Sequence, residues 1–214
     1  GAICAASGEA LHILRHPARV VFEAGAEISC ARWWEEAGVL LAGCTDDRVV
    51  AFDREGRRLW EFHSQMDPAV YEAGKQYWFR AAHPGVHGLG SGVFLRGEPQ
   101  AFIGSACTLE ILDHEGKLLK RMPVFWGPGW RFALIDGPTG SRQLLDARWP
   151  NDGVAAAVID AETLNQTSGF TSVPAGHANI GGWTAQSRPC TYFADLDADG
   201  QSEVISAING VWNR

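Results

Sequence analysis

Asp195-Leu196-Asp197-Ala198-Asp199-Gly200-Gln201-Ser202-Glu203 places carboxylates at the first, third, fifth and ninth positions of a short run, with a glycine at the sixth. Alternate residues of a turning loop point to one centre. Together with the Gln201 carbonyl at the seventh position, the carboxylates offer the hard oxygen cage that calcium fills with roughly six to eight ligands. Asp195, Asp197, Asp199, Gln201 and Glu203 are therefore the expected calcium ligands, and without a cation so many stacked carboxylates would repel. An EF-hand would need a bidentate Glu at the twelfth position, where Ser206 stands. Val204-Ile205, a strand-forming pair, follows where a helix should continue.

A second concentration of chemistry runs from Tyr77 to Gly90 in a loop rich in Pro and Gly, with His83 and His87 four apart, and a third surrounds His177 in Gly176-His177-Ala178-Asn179. Tyr77, Arg80, His83, His87 and His177 are the group types that neutralise a uronate and move a proton during β-elimination of an acidic polysaccharide. The same residues would equally pack loops onto a scaffold. Among the nine tryptophans, Trp78 and Trp183 belong to these loops, and Trp126, Trp130 and Trp149 lie near Gly or Pro turns. There a flat apolar face can stay open for a sugar ring. No Gly-x-Ser-x-Gly, phosphate loop, dinucleotide fingerprint or zinc spacing is present, so that chemistry has no support.

The elements that position these groups read as short strands. Val39–Gly43, Val49–Phe52, Ala101–Gly104, Leu109–Leu112, Ala155–Ile159 and Glu203–Ile205 are apolar runs bounded by Gly, Asp or Asn, and no stretch of ten residues carries a helical apolar stripe. Asp53-Arg54-Glu55-Gly56-Arg57 and Asp113-His114-Glu115-Gly116-Lys117 are the same hairpin sixty positions apart. Looser copies extend the pattern: Ile3–Leu14 resembles the strand-turn-strand of Gly43–Phe52, and Val158–Leu164 resembles a third hairpin. A unit of several short strands that recurs every forty to sixty residues predicts an all-β fold, a β-propeller-like repeat of four-stranded antiparallel blades, with a β-sandwich as the alternative. Residues 1–214 are read as one domain. Gly1 at the start and Asn213-Arg214 inside an apparent strand imply a segment of a longer protein.

Composition limits the partners. The hydrophobic fraction is 46% with 20% charged residues, enough for a real core. The net charge of -7, with scattered basic residues, argues against nucleic acid. Arg54, Arg57 and Arg58 share a turn with Asp53 and Glu55 and read as a solvated hairpin tip. Five cysteines, with no Cys-x-x-Cys, make no disulfide framework and read as small buried hydrophobes. No apolar run is long enough to span a membrane, and no charged stretch followed by an apolar one marks a signal peptide in this sequence.

Gly43–Trp60, with its Gly, its apolar strand ending in Asp, its Gly turn and its closing Trp, resembles a blade of the pyrroloquinoline-quinone-type propellers, and Gly104–Lys120 follows it less closely. That resemblance implies a fold and not a quinone cofactor. The Asp195 loop, preceded by Tyr192-Phe193-Ala194, resembles the FG-GAP type of integrin-like propellers, in which such a loop joins two strands of a blade. The resulting expectation is a calcium-stabilised, extracytoplasmic binding module for a glycan or protein ligand. Its alternatives are a carbohydrate-active enzyme, a polysaccharide lyase using the His83/His87 loop, and a purely structural segment of a surface protein.

Overall fold

The computed structural model describes residues 3–14, 19–68, 85–95, 97–105, 107–124, 129–137, 140–147, 154–171, 185–199 and 203–209. The seventeen described elements are all strands, arranged in five antiparallel sheets. The first holds β1 (Ile3–Ser7), β2 (Ala10–Leu14) and β3 (Arg19–Glu23). The second holds β4 (Ile28–Trp34), β5 (Val39–Cys44), β6 (Arg48–Phe52) and β7 (Arg58–His63). The third holds β8 (Gly88–Val93), β9 (Pro99–Ser105), β10 (Thr108–Leu112) and β11 (Leu118–Pro123). The fourth holds β12 (Arg131–Asp136), β13 (Arg142–Ala147), β14 (Val154–Asp160) and β15 (Gln166–Thr171), and the fifth β16 (Ala185–Ala194) and β17 (Glu203–Asn209). Each sheet is an up-and-down meander with its strands in sequence order.

The leading strands β4, β8, β12 and β16 contact one another in succession, which places them along a common axis with the sheets radiating outward. This is the propeller arrangement, and it sets aside the sandwich alternative. One hydrogen bond repeats from sheet to sheet. The residue after the outermost strand donates its N–H to the turn between the two middle strands: Ala24 to Glu9 O, Ser64 to Asp47 O and Val124 to Cys107 O, each at 2.8 Å. β1, β2 and β3 therefore stand in the second, third and fourth positions of a blade. Two further bonds tie the start of a leading strand or the segment just before it to the preceding sheet, Ile28 N–H to Gly8 O (3.1 Å) and Val86 N–H to Cys44 O (2.9 Å).

Middle strands are covered on both faces by neighbouring blades, so β5 and β10 are buried along their whole length and read as continuous apolar runs. Alternation along each strand sorts its side chains between two layers. Val50 and Phe52 pack with Phe22 towards the first sheet. Val49 and Ala51 pack with Ala101, Ile103 and Leu112 towards the third. Phe102, Leu109 and Ile111 pack with Leu144 and Ile159 of the fourth.

The predicted hairpins form, with matching geometry. Asp53 Oδ1 accepts the N–H groups of Glu55 (3.0 Å) and Arg57 (2.9 Å), and Asp113 Oδ1 accepts those of Glu115 (3.0 Å) and Lys117 (2.9 Å). The third hairpin is a variant, one residue longer, in which Asp160 Oδ1 accepts the N–H groups of Glu162 (3.1 Å) and Thr163 (2.9 Å) and the turn closes by the Asp160 N–H on Asn165 O (3.1 Å). Gly56 and Gly116 supply positive φ, +85° and +81°, where a side chain would be strained. Trp60 lies across the next blade's hairpin, donating its indole N–H to His114 O (3.0 Å), and an added Cβ on Gly116 would meet its ring at 2.6 Å.

Candidate functional site

The meander assigns the chemical groups to opposite faces. Turns between first and second strands, and between third and fourth, lie on one face, while sheet-to-sheet connections lie on the other. The Asp195 loop joins β16 to β17 and so shares its face with the Asp53, Asp113 and Asp160 hairpins. His87 immediately precedes β8, and Trp130 precedes β12, on the opposite face. One site cannot use both groups.

On the first face, Asp195, Asp197 and Glu203 each offer a carboxylate oxygen within 4.8 Å of the others. The loop turns through Ala198 in the left-handed region (φ +61°). This directs the Asp199 N–H onto Asp195 Oδ1 (3.1 Å) and Asp197 Oδ1 (3.2 Å), while the Leu196 N–H donates to Glu203 Oε2 (2.7 Å). Three of the five expected ligands are thus brought together. Asp199 lies in the same turn, but its carboxylate is outside the three-oxygen group, and Gln201 lies outside the described residues. The group fits a hard divalent cation, and the exposure of Asp195 and Asp197 leaves coordination positions to water.

On the other face the structure brings two expected residues together. The His87 and Trp130 rings are 5.2 Å apart and tilted by 46°. Backbone bonds fix the pair: His87 N–H to Gly104 O (2.8 Å) and Trp130 N–H to Ala147 O (2.9 Å). Glycines make the approach possible. A Cβ on Gly88 would lie 2.5 Å from Gly129 O, and one on Gly104 would run into the Gly129 carbonyl. Beneath Gly129 lies Asp146 of β13, whose carboxylate occupies the space that a Gly129 side chain would need and is 1% exposed.

Tyr77, Trp78, Arg80, His83, Trp126, Trp149, His177 and Trp183 lie outside the described residues. Sequence reasoning missed the buried acids Asp146 and Glu110, because a strand buried on both faces loses the alternation that would single out a polar position. Burial pushes the Cys30 thiol up to about 12 and the Cys44 thiol to about 11. Both stay protonated, as expected for small core side chains and not for nucleophiles.

No family model and no curated protein matches this chain. Solved structures do. The structure of U3-55K superposes with a TM-score of 0.57 at 14% identity, over 79% of this chain and 48% of that one. The WD40 β-propeller domain of Doa1 gives 0.53 at 13% identity, over 82% and 51%. The structure of BBS1N in complex with ARL6DN gives 0.53 at 13%, over 79% and 48%. The chain spans about half the length of the solved structures it matches. At these identities the likeness shows the fold alone, and that fold is a β-propeller.

Proposed function

We propose that this chain is a binding module in which a propeller scaffold carries ligand-contacting loops and calcium stiffens the fifth sheet. The observation that carries the reading is the convergence of the Asp195, Asp197 and Glu203 carboxylates within 4.8 Å in the loop that joins β16 to β17. A cation that neutralises three acids at this turn would remove their mutual repulsion and hold the two strands in register. A site of few, exposed carboxylates binds weakly, in the range of about 10⁻⁴–10⁻³ M typical of extracellular modules. An extracytoplasmic setting, where calcium reaches such levels, suits it. In this reading the loop works as FG-GAP loops do.

For the ligand, a protein partner has the support of the fold, since BBS1N, whose structure superposes on this chain, is in complex with ARL6DN. A glycan is favoured by one specific observation, the half-buried Trp130 ring beside His87 at the mouth of the leading strands. Lyase chemistry would fall on the same face, with His87 as the proton carrier.

Calorimetric titration with calcium tests the proposal. We expect a single site in the parent and no measurable heat in Asp197→Ala, with magnesium, which demands tighter octahedral geometry, failing to compete at equal concentration. Identical isotherms for parent and variant would remove the site.

A further inference from the structure

We propose that Glu110 of β10 is a protonation-dependent latch on the root of the connection that leads from β7 to β8. Glu110 is fully buried between the second and third blades, beside the apolar cluster that includes Val49, Ala51, Ile103 and Leu112. Its carboxylate accepts from four donors: Ser64 Oγ (2.5 Å) and the Gln65 N–H (3.2 Å) of the departing segment, and Arg121 Nε and Nη2 (2.8 Å each) of β11. The equivalent position in the second blade is the apolar Val50, so the propeller fold itself does not require the acid. Among the described residues, Arg121 is the one charged side chain bonded to it. β9 contributes Ser105 at its end, and His63 at the end of β7 pairs with Glu61 instead.

The serine pair gives the latch two satisfied states. Ser64 Oγ lies 2.6 Å from Ser105 Oγ and 2.5 Å from Glu110 Oε2, yet a hydroxyl has a single hydrogen. With Glu110 ionised, Ser105 donates to Ser64 and Ser64 donates to the carboxylate. With Glu110 protonated, the acid donates to Ser64 and Ser64 donates to Ser105. The relay reverses with no buried hydroxyl left unpaired, whereas the Gln65 N–H and the Arg121 guanidinium exchange a charged acceptor for a neutral, weaker one. Neighbouring fastenings do not involve Glu110: Ser64 N–H to Asp47 O (2.8 Å), Asp67 N–H to Thr108 Oγ1 (2.9 Å) and Gly85 N–H to Asp47 Oδ1 (2.5 Å).

Burial raises the Glu110 carboxyl above its ordinary value of 4.5, against the opposing bonds from Ser64, Arg121 and Gln65. The latch therefore changes state at a higher pH than an ordinary carboxyl would. Because the folded chain holds this proton to a higher pH than the unfolded chain does, the group's contribution to stability is fully present below the unfolded value. It is lost as pH rises through the folded one. Acid thus loosens the local grip on Gln65 and Arg121 without unfolding the blade.

Amide hydrogen exchange at a series of pH values tests the latch, with Ser64 as the internal reference because its acceptor is a backbone carbonyl. The protection of Gln65 relative to Ser64 should fall at least about threefold on acidification. The change should track the carboxyl carbon shift of Glu110 in the parent protein, and Glu110→Gln should show the low ratio at every pH. A ratio that stays flat while Glu110 titrates, or a pH-dependent fall that persists in Glu110→Gln, would overturn the proposal. If the variant does not fold, the coincidence of the two midpoints in the parent decides alone.

Discussion

Phe102→Ala is expected to lower stability by about 3–5 kcal/mol, the range for truncating a buried aromatic in a core that cannot collapse around the gap. Phe102 is 1% exposed and stands on the face of the third blade that meets the fourth. Its ring meets Phe94 edge-on at 5.9 Å (89°) and leans on Phe132 at 6.1 Å (52°), so one truncation removes packing within the blade and across the joint together. For a chain of this size each kcal/mol moves the midpoint by roughly 2–4 °C. A melting curve should therefore fall by at least about 6 °C, and a variant that melts with the parent would show that this joint is not packed as described.

Gly104→Val should have a comparable effect from the opposite cause. The added side chain has no flexible neighbour to displace, because its Cβ would enter the backbone carbonyl of Gly129, with the carbonyl carbon 2.8 Å away. Relief requires the third and fourth blades to separate along the row where Gly88 and Gly90 also admit the backbone or side chains of the next leading strand. Overpacking costs about 1–3 kcal/mol where side chains can adjust, and a backbone obstruction belongs at the top of that range. Separation would also pull Trp130 from His87. Tryptophan fluorescence should accordingly shift in Gly104→Val at temperatures where the chain remains folded, and an unchanged spectrum and midpoint would contradict the assigned packing.

The parts of this fold that are legible in the sequence are those in which a local backbone need selects a residue type. An Asp that caps two N–H groups and a Gly at positive φ are required by the hairpins at Asp53 and Asp113, so both appear as a motif. The third copy is weaker in sequence because its turn is one residue longer and Leu164 takes the left-handed position (φ +57°), although Asp160 still caps two N–H groups. β1 and β2 were recognisable as a counterpart of β5 and β6, and they occupy the same two positions of a blade. Leading strand β8 was not legible, since Gly88-Leu89-Gly90-Ser91-Gly92 is poor in strand-forming residues. Its glycines answer to a neighbour distant in sequence, the backbone of Gly129 and Trp130. Glu110 was hidden for a related reason, being read as one member of an apolar run whose partners, Ser64 and Arg121, come from other strands. At the acidic loop, alternation singles out Asp195, Asp197 and Glu203, whose carboxylates approach one another within 4.8 Å. The left-handed turn at Ala198, which no pattern announces, set the Asp199 carboxylate apart.

The most direct test of a calcium-stiffened propeller module is amide exchange measured residue by residue, with calcium in excess and then with chelator. Calcium at a hundredfold above its dissociation constant stabilises the state that binds it by about 2.7 kcal/mol. Slower exchange is expected at Leu196, Asp199 and the paired residues of β16 and β17, with little change in β5 and β9 and no response in Asp197→Ala. Exchange at the fifth sheet that is indifferent to calcium, or that responds equally in parent and variant, would contradict it.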